Sequence, residues 1–123
     1  MRRQISGLGL ALLATVAFAA GANNKWRLQC SGGADSDGRI VLEITPIDGQ
    51  PMRATVQIHQ GRSENGVARD INTALRAQVG ARYNVEVDDG EDVLVKKKRG
   101  EHDFTLTIVE NTVQGVRLNP DEE

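Results

Sequence analysis

Residues that carry chemistry are scarce in this chain. Among its 123 residues are one cysteine, two histidines, three prolines, one tryptophan and one tyrosine, and aromatics make up 3%. The lone Cys30 excludes an intramolecular disulfide. In an oxidising compartment such a residue is either buried or bridges to another chain. Trp26, Leu28 and Cys30 alternate with Arg27 and Gln29. Free cysteine is among the most buried residue types, so Cys30 reads as a small core hydrophobe. No nucleophile elbow, zincin helix or metal-binding Cys/His spacing is present. No Ser, Cys or carboxylate near His59 or His102 forms a recognisable nucleophile arrangement. With so few aromatics, the core falls to Val, Ile, Leu and Ala, and there is no stacking platform for single-stranded nucleic acid.

Long apolar runs are missing from all but the N-terminus. There, Arg2 and Arg3 precede an apolar stretch from Leu8 to Ala20. Small residues follow as Ala17-Phe18-Ala19 or Ala20-Gly21-Ala22, the spacing that a signal peptidase needs. The stretch is shorter than the ~20 apolar residues of a bilayer span. Residues 1–22 therefore read as a cleavable signal peptide. The expectation is export to the periplasm or beyond, with no stable membrane insertion after cleavage. Cys30 follows a polar stretch rather than the apolar run, so no lipid anchor is implied. The first 22 residues hold two basic residues and no acidic ones, which leaves 13 basic against 17 acidic, a net charge of −4. A negative field does not suit a general binder of nucleic acid or anionic membrane.

What remains is patterned. Residues 23–118 predict a single α+β domain: a small antiparallel sheet of about five or six strands, in the order β-β-β-α-β-β-β, packed on one amphipathic helix. The helix spans Ser63 to Gly80, with Val67, Ala68, Ile71, Ala74, Leu75 and Val79 on one face. Ser63 is its N-cap and Gly80 its terminating residue, free to turn left-handed. Strands alternate through Asn23–Cys30, Arg39–Thr45, Met52–His59, Arg82–Val87, Val93–Val95 and Phe104–Val109. Val113–Leu118 adds a short last strand, and residues 119–123 form a disordered acidic tail.

Two charged features stand out. Asp88, Asp89, Glu91 and Asp92 cluster in one turn, either a weak divalent-cation site or a solvated hairpin tip, and turn geometry favours the second. Lys96, Lys97, Lys98 and Arg99 form the best candidate contact surface, suited to an acidic protein or an anionic envelope component. The plainer reading is that these cations protect an exposed strand from pairing with other chains. Taken together, the sequence implies a small exported binding or accessory domain, without catalysis, cofactor or metal, that contacts a protein or an envelope polymer. The alternative is a small secreted enzyme using His59 or His102 as acid or base.

Overall fold

Alternation of apolar and polar residues builds β1 (Lys25–Ser31), β2 (Gly38–Pro46) and β3 (Met52–Ile58). The computed structural model describes residues 21–123, so the signal peptide assigned to residues 1–22 lies outside the described residues but for its last two. The helix α1 (Glu64–Val79) follows, then β4 (Tyr83–Asp88), β5 (Asp92–Lys97), β6 (Phe104–Asn111) and β7 (Arg117–Glu122). The fold is α+β, with these seven strands in two antiparallel sheets rather than one.

The first sheet has the order β3-β2-β6 and the second β4-β5-β1-β7. Local hairpins join β2 to β3 and β4 to β5. The other pairings are long-range: β6 returns to β2, while β1 pairs with both β5 and β7. Both inner faces share one hydrophobic core with the apolar stripe of α1. Leu28, Leu42, Ile71, Leu75, Val95 and Phe104 sit at its centre. Trp26 ties the sheets together, because its indole Nε1–H donates to the Phe104 carbonyl at 2.8 Å. Cys30 is buried at 2% exposure. Burial, the nearby Asp92 and then Glu64 and Glu91 push its thiol up to about 12.

The helix ends follow from its sequence, with one correction. Ser63 Oγ accepts from the Gly66 N–H at 3.1 Å, as an N-cap should. Gly80 does not turn left-handed: its φ is −63°. Glycine is needed there because a Cβ would collide with the Arg76 carbonyl. The Gly80 carbonyl is capped instead by Lys98 Nζ at 2.6 Å.

The acidic tail is a second correction. Residues 119–123 are not a free end, since Arg117–Glu122 is strand β7, paired with β1 from Ser31 to Trp26. Two observations explain it. Leu118 packs against the core, and Glu123 Oε2 accepts from Arg27 Nε at 3.2 Å. Pro120 is tolerated because β7 is an edge strand. Glu123 N–H donates to the Lys25 carbonyl, so Asp121 and Asn119 occupy the other bonded positions along β1. Pro120 falls between them, where its missing N–H would have faced solvent.

Candidate partner-binding surface

The four-residue basic run does not form one surface. Lys97 Nζ lies 2.8 Å from Asp103 Oδ1, and Lys98 is spent on the helix end. Lys96 and Arg99 remain exposed. The edge-protection reading fails too, because β5 lies inside its sheet between β4 and β1. Antiparallel pairing sets Lys25 directly opposite Lys96, and neither has a carboxylate partner among the described residues. Lys25 was not legible as part of this patch, since 70 residues separate it from Lys96 and nothing in its own surroundings marks it.

The carboxylate turn is held from the side. Arg27 of β1 reaches Asp88 Oδ2 at 2.9 Å and Asp92 Oδ2 at 2.8 Å, besides Glu123. These hydrogen bonds, first to Glu123, then to Asp92 and Asp88, raise the guanidinium pKa above its ordinary value. Repulsion in the turn is thus relieved by a residue from another strand. The basic run cannot do it, because Tyr83 pairs with Lys97 at the far end of the hairpin. Beneath Arg27, Leu94 is buried on the outer face of this sheet, away from the central core.

The two histidines sit apart. His59 ends β3, where Ile58 pairs with Gly38, and His102 precedes β6, where Phe104 pairs with Pro46. The length of β2 separates those ends, about 27 Å at the usual rise per residue. Both side chains are exposed. His59 borders a shallow groove with Arg62 and Asp70, but both Asp70 oxygens accept from Arg62, at 3.0 and 2.9 Å.

The strand edges are more telling. Two sheets present four edges, β3, β6, β4 and β7. At β3, Gln78 of α1 imitates a neighbouring strand: its Oε1 accepts from Thr55 N–H and its Nε2 donates to Thr55 C=O, both at 3.0 Å. At β4, Arg76 of α1 donates from Nε to the outward Val85 carbonyl at 2.9 Å. At β7, Pro120 removes the central donor. At three edges, therefore, a side chain or a proline occupies a central outward position.

The fourth edge, β6, carries no side-chain plug and no proline. Ile47 N–H donates to the Asp103 carbonyl, so Thr105 and Thr107 turn their backbone groups toward β2, and Phe104, Leu106 and Ile108 turn theirs away. Asn23 fills the position at Phe104, exchanging both backbone bonds with it at 2.9 Å. Ile108 has no such partner among the described residues, whereas Leu106 is buried, backbone included, at 1% exposure. Beyond them Val109 is a β-bulge, since Ile108 pairs with Leu42 and Glu110 with Val41. The side chain of Val109 is 40% exposed, and that of Ile108 only partly covers the core. The stretch Thr105–Val109 is uncharged and rich in β-branched residues. Its alternation marked a strand, but nothing local marked it as an edge.

No protein-family model matches this chain, and no curated protein matches it either.

Proposed function

We propose that this is an exported, non-catalytic binding or accessory domain whose partner adds an extended segment to β6. One observation carries the reading. Of the four edges, β6 alone has neither a side-chain plug nor a proline against it, and its accessible part lies at Ile108 and the exposed Val109. Strand addition uses such groups for affinity and alternate side chains for specificity. The exposed and widely separated histidines agree with a binding role, as does the engagement of Asp70 by Arg62.

The test is comparative capture from the envelope fraction. Ile108→Pro removes an outward N–H and leaves the ladder to β2 intact. The partner retained by the wild-type chain should be lost with Ile108→Pro and kept by the double variant Lys96→Glu/Arg99→Glu. Retention by Ile108→Pro refutes strand addition.

The Lys25–Lys96 pair supports a second reading, contact with an acidic protein or an anionic envelope component, because two unpaired like charges stand opposite each other. In that case the double variant loses the partner, and added salt weakens wild-type capture.

A further inference from the structure

We propose that Asn65 is a site of spontaneous deamidation, and that the helix cap on Ser63 sets its rate. This goes beyond the strand-addition reading and is independent of it.

Asn65-Gly66 is the only Asn-Gly step in the sequence. Every other asparagine is followed by a residue with a side chain, or by Pro120, which has no N–H. A following glycine lets an asparagine side chain close on the backbone, because no Cβ obstructs the approach and the glycine dihedrals are unrestricted. The glycine is there for packing. Arg62 lies across it, with Nη2 donating to the Gly66 carbonyl at 3.0 Å and two bonds to Asp70 at 3.0 and 2.9 Å. A Cβ on Gly66 would stand 2.9 Å from Arg62 Cζ and displace the guanidinium from these bonds. The fold thus requires glycine at the one place where it opens an asparagine to cyclisation.

The chemistry needs water alone. The Gly66 nitrogen gives up its proton and attacks Asn65 Cγ; the Cγ–Nδ2 bond breaks and ammonia leaves. Water then opens the succinimide at either carbonyl, to aspartate or to isoaspartate. In the folded helix this is held off twice. The nitrogen that must attack donates its proton to Ser63 Oγ at 3.1 Å. Asn65 is also the second residue of α1, where helical backbone keeps ψ near about −42°, away from the ring-closing geometry. The Asn65 side chain is exposed, while Val67 and Ala68 are buried, so the first turn opens without disturbing the core. A Cβ on Gly90 would stand 3.2 Å from Asn65 Nδ2, so the amide packs over the carboxylate turn. Conversion therefore sets a further negative charge beside Asp89 and Glu91, and isoaspartate lengthens the backbone by one carbon between Ser63 and Gly66.

The experiment is timed mass spectrometry of the purified chain in mildly alkaline buffer, with tryptic mapping. The peptide spanning residues 63–69 should gain the mass of a single deamidation and contain isoaspartate. Asp37, Asp48 and Asp89 also precede glycine, but their route takes back the water it expels and leaves the mass unchanged. Conversion should be slower in the folded chain than in guanidinium. Ser63→Ala should speed it about fivefold with an unchanged far-UV spectrum, the gain in opened turn expected from losing one cap. Ser63→Asp, which keeps a capping oxygen, should stay as slow as wild type. The proposal is overturned by a wild type that converts as fast when folded as in guanidinium, by a Ser63→Ala chain no faster than wild type, or by a first conversion outside residues 63–69.

Discussion

Replacing Gln78 by alanine should reopen the β3 edge. The side chain makes two hydrogen bonds, one to each backbone group of Thr55. Neutral hydrogen bonds contribute about 0.5–1.5 kcal/mol each net. Both are exposed here, so water replaces them and the low end applies. Alanine is the better helix former by a few tenths of a kcal/mol, which offsets part of the loss. The expected net cost is about 0.7 kcal/mol, or a drop in Tm of about 3–6 °C for a domain of this size. Stability alone does not identify the cause, so the decisive readout is amide exchange at Thr55. Its N–H should lose protection while its inward-bonded neighbours Ala54 and Val56 keep theirs. Gln78→Glu should fall below Gln78→Ala, because a carboxylate can accept from the Thr55 N–H but places a charge against its carbonyl. Equal Thr55 protection in wild type and Gln78→Ala would refute the claim that this side chain closes the edge.

Other consequences are simpler to check. Leu75 is fully buried, so Leu75→Ala should cost about 2–5 kcal/mol in urea unfolding, whereas the exposed Arg69→Ala should change little. Arg76→Ala should not be silent despite its exposure, since it releases the Val85 carbonyl, and exchange at β4 should report that. The Cys30 thiol binds its proton more tightly when folded, so its contribution is intact below its ordinary 9.0 and is lost as pH rises toward about 12. Over that window stability should fall by about 1.4 kcal/mol per pH unit. Cys30→Ala should flatten the slope, and an unchanged slope would place its cause elsewhere. Intact-mass measurement of the exported chain should show loss of the first 19 to 22 residues; a retained Met1 would end the signal-peptide reading.

How far the sequence could be read depended on the range of the interaction. The face of α1 was legible because its burial repeats every turn within sixteen residues. The alternation of β2 and β3 was equally local, and their hairpin register followed from a short turn. Sheet membership was not. β1 leaves its neighbour β2 to pair with β5 and β7, and no local pattern encodes that choice. The last strand, expected at Val113–Leu118, lies instead at Arg117–Glu122, because Pro120 and three acidic residues read as a frayed end while residues 113–116 form a turn. What orders it is Arg27, about ninety residues earlier, together with the burial of Leu118. The basic run misled for a related reason. Adjacent cations look like one patch, yet tertiary contacts drew Lys97 to Asp103 and Lys98 to Gly80.

The edges bring these threads together. A short sandwich-like domain with two sheets must manage four rows of unpaired backbone groups. Helix α1 handles two of them at once, since it lies against both β3 and β4 and carries Gln78 and Arg76 on its exposed flank. Its buried stripe and its polar flank therefore do separate jobs, one closing the core and the other closing the edges. Pro120 protects β7 with a single residue at the centre of the strand. Against these three, β6 carries no such guard at Ile108 and the exposed Val109. A proline at Ile108, whose N–H points away from β2, or a lysine at the exposed Thr107 would leave the ladder to β2 intact. The contrast within one molecule, rather than any motif, is what directs the search for a partner to β6.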